Sequence, residues 1–287
     1  MSMEFDFAEV LARMAEVKAS DVHLTAGFPP AMRDKGKIVP MEGFPVLSSQ
    51  ETREVVFGIL NDDQRKRFEN GKQLDFAYAI PGVARFRVNC FLQRGSVSAA
   101  FRLVPQEIPA LDSLGVPQVL RELTAKPRGF VLVTGPTGSG KSTTLAALVD
   151  HVNRTRDDHI ITIEDPIEFV HPSRRCLVHQ REVGVHTDSF KRALRAALRE
   201  DPDIVLVGEL RDLETIAIAI ETAETGHLVF GTLHTNTAPS TVDRIIDQFP
   251  ADRQPQIRMM LSESLRGVIT QTLCKKVGGG RVAAQEV

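Results

Sequence analysis

Residues 130–142 read Phe-Val-Leu-Val-Thr-Gly-Pro-Thr-Gly-Ser-Gly-Lys-Ser, an apolar run that leads directly into a glycine-rich loop. A short apolar run is typical of a strand that is buried on both faces of a parallel sheet. The stretch 135–142 matches the pattern G-x-x-x-x-G-K-[ST] at every position. Beyond it, apolar residues recur at helical spacing from Leu145 to Val152. Strand, loop and helix in this order predict a nucleotide-binding domain.

The loop contains the groups that bind a phosphate chain. Its glycines let the backbone curl so that consecutive N–H groups point inward, and the next helix presents its N-terminus to the same anion. We expect Lys141 to contact the β- and γ-phosphates of ATP and the Ser142 hydroxyl to bind Mg²⁺. A plain glycine-rich turn is the alternative, and it has less support because motif and context are both complete. The predicted nucleotide-binding residues are Gly135, Pro136, Thr137, Gly138, Ser139, Gly140, Lys141, Ser142 and Thr143.

Length and composition limit the class of protein. A chain of 287 residues exceeds the usual size of a single core, so two domains are expected. Its 42% hydrophobic and 25% charged residues are ordinary for a globular protein, and no stretch approaches the roughly 18 apolar residues of a membrane span. The first residues do not have the pattern of a signal peptide. A net charge of −2 gives no argument for nucleic acid, and three scattered cysteines predict reduced thiols in a cytoplasmic protein.

Three segments of different pattern divide the chain. Residues 1–104 combine helical stripes with alternating strands, which predicts a small α+β domain. Three prolines indicate a stiff linker over 105–117. From 118 to 287 apolar strands alternate with helices, which predicts an α/β domain with a parallel sheet whose ligand binds at the carboxyl ends of the strands. The predicted strands are 22–25, 31–37, 75–79, 84–91 and 96–104 in the first domain and 130–133, 159–163, 204–207 and 228–232 in the second.

Carboxylates follow two of the apolar strands. Glu164 comes directly after 159–163, where a carboxylate can orient or deprotonate the water that attacks a γ-phosphate. A solvated acidic loop is the alternative. Glu209 follows 204–207, a place where phosphate-loop enzymes commonly hold Mg²⁺ with an aspartate. The position therefore predicts that Glu209 lies on the Mg²⁺ side, although a glutamate is atypical there.

Two histidines and two arginines are further candidates. His227 and His234 flank the strand 228–232 and can contact a γ-phosphate, with a structural role as the alternative. Metal binding has less support because no cysteine or further histidine completes a ligand set. Arg87 and Arg102 lie on predicted strands of the first domain. They form either a solvated face or arginines that stabilise charge on the γ-phosphate of a neighbouring subunit.

Four segments resemble the motifs of the secretion-ATPase superfamily in their order along the chain. GPTGSGKS at 135–142, TIEDPIEF at 162–169, DPDIVLVGELRD at 201–212 and TGHLVFGTLHT at 225–235 are similar to its Walker A, Asp box, Walker B and His box. The segments SDVHLTAGFPPAMR and RFRVNCFLQRG resemble more closely the PilT-type retraction ATPases of type IV pili. The similarity extends over residues 3–287. It implies a RecA-like ATPase domain over 118–287, preceded by a PAS-like domain over 1–104.

The resemblance also implies roles for individual residues. Glu164 would be the catalytic glutamate, and Glu209 would be the Walker B glutamate beside Mg²⁺. The two arginines would be contributed to the nucleotide by the N-terminal domain. The implied catalytic residues are Lys141, Glu164, Glu209, His227, His234, Arg87 and Arg102, and the implied metal ligands are Ser142 and Glu209.

The function that the resemblance implies is that of a homohexameric motor with ATP and Mg²⁺ as cofactors. It would retract type IV pili at the cytoplasmic face of the inner membrane, bound to a pilus platform protein and peripheral to the bilayer. A PilU-like accessory ATPase and a DNA-translocating or secretion ring ATPase are the alternatives. A DNA motor needs a basic surface, for which the net charge offers little support, so no nucleic acid partner is expected.

Two features near residue 287 bear on the kind of motor. Extension and type II secretion ATPases carry a tetracysteine zinc subdomain after the segment that matches Gln271 to Cys274. Here Cys274 is followed by Lys-Lys-Val-Gly-Gly-Gly, so we expect no zinc subdomain, which favours retraction. The retraction ATPases normally continue beyond Val287 with helices that include an AIRNLIRE-like motif. The resemblance therefore implies a chain that is C-terminally truncated relative to the family.

Overall fold

The structure, a computed structural model, describes residues 6–17, 19–34, 36–104, 107–277 and 280–287. The chain divides into two compact units, 1–106 and 107–287. Residues 105 and 106, the first two of the predicted linker, lie outside the described residues. The remainder of the linker contains a short 3₁₀ helix over Leu111–Leu114 within the second unit.

An antiparallel sheet forms the centre of the first unit. Its strands and helices are β1 (Asp21–Leu24), β2 (Ala31–Asp34), β3 (Lys37–Pro40), β4 (Gln73–Ile80), β5 (Ala84–Gln93), β6 (Ser96–Val104), α1 (Phe7–Glu16), α2 (Ser49–Ile59) and α3 (Asp62–Gly71). The strands pair in the order β3-β2-β1-β6-β5-β4. The helices are preceded by the N-cap residues Asp6, Ser48 and Asn61, whose side chains accept hydrogen bonds from backbone N–H groups of the first turn.

The prediction of one strand over 31–37 is wrong. The segment forms β2 and β3, which pair antiparallel from Ala31 with Pro40 to Asp34 with Lys37. Gly36 has φ 87°, a left-handed conformation that glycine adopts without steric cost. The chain therefore reverses where the sequence pattern alone predicts a continuous strand followed by a loop.

A mostly parallel sheet forms the centre of the second unit. Its elements are β7 (Gly129–Thr134), β8 (His159–Glu164), β9 (Leu177–Glu182), β10 (Ile204–Val207), β11 (Leu228–Leu233), β12 (Leu265–Lys275), β13 (Arg281–Glu286), α4 (Val119–Thr124), α5 (Lys141–Thr155), α6 (Phe190–Ala197), α7 (Leu213–Glu224), α8 (Ala238–Ile246) and α9 (Gln254–Ser264). The order is β13-β12-β7-β11-β10-β8-β9, and all neighbours are parallel except β12 and β13. The predicted α/β class with a parallel sheet is confirmed.

The central strand β7 is buried on both of its faces. Phe130 and Leu132 belong to a core with residues of α6, α7, α8 and α9. Val131 and Val133 point to the opposite face and belong to a core with residues of α4 and α5. Two helical layers therefore cover the sheet, which explains why the strand reads as an uninterrupted apolar run. No helix among the described residues has the length and apolar content that a membrane crossing requires.

The candidate side chains of the second unit gather at one edge of this sheet. The strands β7, β8, β10 and β11 run parallel, so their carboxyl ends meet there. The glycine loop follows β7, and Glu164 is the last residue of β8. Glu209 follows β10, and His234 follows β11. This is the edge where an open α/β sheet binds its ligand.

Candidate active site

The glycine loop is shaped by two glycines whose backbone conformation disfavours a side chain. Gly135 has φ 138°, and a Cβ atom there would clash with the backbone oxygen of Gln271 on β12. Gly140 has φ 88° and is the N-cap residue of α5. The left-handed backbone at Gly140 turns the chain directly into the helix. The helix N-terminus, where backbone N–H groups are without intrahelical partners, therefore follows the loop at once.

Lys141 lies folded against this loop. Its Nζ donates hydrogen bonds to the carbonyl oxygens of Gly135, at 2.8 Å, and Pro136, at 3.1 Å. Burial lowers the pKa of Lys141, while the negative charges of Glu209 and Glu168 oppose that shift. The ammonium is thus held at the loop rather than extended into solvent. This is the arrangement expected of a cation that contacts a bound phosphate chain.

Glu164 is held in one orientation at the end of β8. The Thr162 hydroxyl and the Gln180 amide donate to its Oε1 at 2.7 and 3.1 Å. The Glu168 backbone N–H donates to its Oε2 at 3.4 Å. Burial nonetheless raises the pKa of Glu164, because the charged form loses more hydration than these bonds return. An oriented carboxylate with a raised pKa is suited to accept a proton from water.

Glu209 has the opposite electrostatic environment. Arg211 donates to its Oε2 at 2.7 Å, and the Nε2 of His234 lies 3.1 Å from its Oε1. The bond from Arg211 lowers the pKa of Glu209, so this carboxylate stays ionised. Two carboxylates at one sheet edge therefore differ in proton affinity. Such a difference commonly separates a group that takes up a proton from a group that keeps its charge.

The two candidate histidines lie at opposite ends of β11. His234 follows the strand and contacts Glu209, as described above. His227 precedes the strand, and its Nδ1 is 3.0 Å from the backbone oxygen of Thr222. A strand of this length separates the two histidines by about 20 Å. The structure thus brings His234, and not His227, to Glu209 at the carboxyl edge of the sheet.

The candidate arginines belong to the first unit. Arg87 on β5 and Arg102 on β6 are directly paired across the two strands. The Nε of Arg102 donates to Oδ1 of Asp21 at 2.9 Å. Burial alone would raise the pKa of Asp21, but hydrogen bonds from Ser20 and Arg102 outweigh this effect and lower the pKa. Both arginines line an open cavity together with Asp21, Asp75 and Asn89.

Three side chains of the site are absent from the sequence-based predictions. Gln180 on β9 binds Glu164, Arg211 binds Glu209, and Gln271 on β12 binds the glycine loop. Gln271 is separated from Ser139, its partner in the loop, by 132 positions. No local pattern could identify it, because the contact depends on the parallel pairing of β12 with β7.

Comparison with known proteins agrees with the motifs. The sequence profile of the family described as Type II/IV secretion system protein matches residues 67–281. The type IV pilus retractation ATPase PilT of Pseudomonas aeruginosa is 55% identical over 282 residues, with 98% of this chain and 82% of that protein covered. The type IV pilus ATPase PilU of the same organism is 44% identical, with 98% and 74% covered.

A solved structure agrees with the fold over nearly the whole chain. The crystal structure of the pilus retraction motor PilT with bound ADP has a TM-score of 0.96 and 52% sequence identity. The match covers 99% of this chain and 82% of that one. The resemblance carried by the four motifs is confirmed, and with it the RecA-like fold preceded by a smaller N-terminal domain.

Proposed function

Because the chain belongs to the Type II/IV secretion system protein family, we propose that it is a Mg²⁺-dependent ATPase that retracts type IV pili as a homohexameric motor. One observation carries the proposal: Lys141, Glu164 and Glu209 meet at the sheet edge where the glycine loop lies, in a chain similar to a retraction motor over 98% of its length. The identity with PilU is lower, at 44% against 55%, so retraction is favoured over an accessory role.

The glycine loop and Lys141 would bind the phosphates of ATP. Backbone N–H groups of the loop and the N-terminus of α5 offer hydrogen bonds to the anion, and the ammonium offers a positive charge. The phosphate oxygens would replace the carbonyl oxygens of Gly135 and Pro136 that Lys141 now contacts. Binding therefore exchanges neutral acceptors for charged ones, which strengthens each hydrogen bond.

The residues of the site also fit a magnesium ion. Ser142 supplies a hydroxyl and Glu209 an ionised carboxylate, both of them the hard oxygen donors that Mg²⁺ prefers. When bound, the ion neutralises charge on the phosphates. Arg211 and His234 would keep Glu209 charged and oriented for this role.

Glu164 would act on the attacking water. Thr162 and Gln180 hold its Oε1 in place, and its raised pKa makes it a better base than an ordinary glutamate. Arg87 and Arg102 would add positive charge from the first unit as the γ-phosphate leaves. His227 stays a predicted residue of the His box. It lies at the end of β11 that is opposite to His234.

The proposal also includes location and partners. The motor would act on a pilus platform protein at the cytoplasmic face of the inner membrane, as a peripheral protein. Twitching motility is the cellular measurement: the gene should restore it to a strain that lacks its retraction ATPase. A gene that carries Lys141→Ala, expressed at the same level, should not restore motility.

The biochemical test is ATP hydrolysis by the purified chain. We expect Mg²⁺-dependent turnover that Lys141→Ala lowers by about 10²–10³-fold, the usual effect of losing one preorganised charged group. Lys126→Ala, which removes an exposed lysine after α4, is the matched control and should keep the rate of the wild type. Undiminished turnover in Lys141→Ala would show that this loop is not the catalytic nucleotide site.

A further inference from the structure

The glycine loop rests on β12 through the carboxamide of Gln271. Its Nε2 donates to the backbone oxygen of Ser139 at 2.7 Å, and its Oε1 accepts from the Thr144 hydroxyl at 2.9 Å. Only 2% of Gln271 is exposed. The amide cannot be flipped, because its oxygen would then face the Ser139 oxygen, which is an acceptor as well. One side chain thus binds both the loop and the first turns of α5.

Gln271 also connects the loop to β13. It lies directly opposite Gln285 in the antiparallel pair, and the Nε2 of Gln285 donates to its Oε1 at 3.1 Å. On the other side, the backbone of Gln271 lies so close to Gly135 that no Cβ fits between them. The hairpin of β12 and β13 and the glycine loop are therefore in contact through both backbone and side chain.

The hydrogen bond from Gln271 to Ser139 fixes the orientation of one peptide unit in the glycine loop. The peptide unit between Ser139 and Gly140 is planar and trans, so its N–H points opposite to its carbonyl. When Gln271 binds the carbonyl, the Gly140 N–H points away from β12. The same bond keeps the carbonyl oxygen from turning toward a bound phosphate, which it would repel. The Gln271 carboxamide thus selects the loop conformation that presents a donor to an anion.

We propose that Gln271 is a positioning residue for nucleotide binding and that it couples the phosphate-binding loop to the β12–β13 hairpin. The inference rests on the proposed function to the extent that the loop must bind a nucleotide. Coupling of this kind is reciprocal: the carboxamide strengthens nucleotide binding, and bound nucleotide stabilises the hairpin to the same degree. A residue that only filled space would affect folding and leave the affinity of the folded protein unchanged.

Two substitutions separate these roles. Gln271→Leu removes all three side-chain hydrogen bonds. Gln271→Glu keeps an acceptor for Thr144 and Gln285 but places an oxygen against the Ser139 carbonyl and adds a negative charge. We expect the affinity of both variants for ADP to fall at least about tenfold, because one buried polar group is left unpaired. Thr272→Ala, which alters an exposed neighbour on the same strand, should bind ADP like the wild type.

The experiment titrates a fluorescent ADP into each purified protein and records the thermal unfolding and the circular dichroism of that protein. ATP turnover should show a raised KM with a smaller change in kcat. Folded Gln271 variants with the ADP affinity and KM of the wild type would overturn the inference. If wild type itself binds no ADP, both the proposed function and this inference fail, whereas equal affinities in wild type and variants refute the inference alone.

A second measurement avoids substitution altogether. Amide hydrogen exchange of the wild type with and without ADP reports on β12 and β13 directly. We expect ADP to slow exchange over 268–275 and 281–286 as well as over the glycine loop. Protection confined to the loop would contradict the coupling, even if the substituted proteins failed to fold.

Discussion

At the scale of single residues, two glutamates at one sheet edge differ in pKa because their surroundings differ. Burial raises the pKa of Glu164, whereas the bond from Arg211 lowers the pKa of Glu209. One environment favours uptake of a proton and the other favours a permanent charge. Their positions after two apolar strands predict that Glu164 acts on the attacking water and that Glu209 lies on the Mg²⁺ side. The contacts of the two side chains favour Glu164 as the base and Glu209 as the metal ligand.

Glu164→Gln should separate binding from hydrolysis. The amide keeps the shape of the side chain but cannot accept a proton from water, a change expected to lower kcat by about 10²–10⁴-fold. ATP affinity, measured with a fluorescent analogue, should stay close to that of the wild type. Glu224→Gln, at the exposed end of α7, is the control. If affinity falls together with the rate, Glu164 holds the metal or the fold, and Glu209 becomes the candidate base.

The raised pKa of Glu164 also predicts a pH dependence. The ionised form is the active base, so the rate should fall on acidification as the carboxylate takes up a proton. Because the pKa is raised, this fall should begin at a higher pH than an ordinary glutamate, near pH 4.3, would give. The measurement is kcat at saturating ATP on the acid side of neutrality. The residual rate of Glu164→Gln should not show this acid limb, and an identical limb in that variant would assign it to another group.

At the scale of elements, the sheet of the first unit holds charges in a cross-strand row. Asp21 on β1, Arg102 on β6 and Arg87 on β5 occupy paired positions on adjacent strands. Asp21 binds Arg102, which leaves Arg87 at the end of the row. Side chains in such a row lie about 5 Å apart at Cβ, so their charges act together.

Arg87→Ala should lower ATP turnover without unfolding the protein. An arginine that neutralises charge as the γ-phosphate leaves is worth about 10³–10⁵ in rate. Arg67→Ala, on the exposed face of α3, removes the same charge from the same unit and should have little effect. Rates are compared at equal nucleotide occupancy. Equal turnover in the two variants would indicate that Arg87 belongs to a solvated face and does not act on the nucleotide.

Strands that are buried on two faces are among the elements that the sequence predicts well. The strands β7, β10 and β11 read as continuous apolar runs because helices cover both sides of the sheet. β9 is an edge strand with polar residues, and β12 ends in a solvent-exposed stretch, so neither has that pattern. The residues of the glycine loop are sufficient to predict the loop. They do not predict its contact with Gln271, because that contact forms only after distant strands have paired.

At the scale of the whole molecule, the two units have separate cores. The core of the first unit contains residues of 7–101, and the cores of the second contain residues of 111–269. The candidate residues are divided in the same way, with Arg87 and Arg102 in the first unit and Lys141, Glu164 and Glu209 in the second. The proposed mechanism therefore needs both units.

The proposed hexamer predicts that turnover depends on protein concentration. If subunits complete one another's sites, the rate per chain should rise with concentration and level off as rings form. Light scattering should then give a mass six times that of one chain. Addition of Lys141→Ala protein, which would enter the rings as inactive subunits, should lower the rate more than simple dilution does. A rate per chain that is constant across dilution to the monomer would contradict a ring mechanism.

The distance in sequence between the glycine loop and Gln271 has a consequence for biosynthesis. At translation rates of about 5–20 residues per second, the ribosome adds the 132 positions that separate Ser139 from Gln271 in roughly 7–26 s. During that interval β7 lacks β12, its neighbour on one side. The open strand edge is a site for mispairing with other nascent chains. We therefore expect chaperones that cover exposed strands to engage the growing chain before β12 can pair with β7.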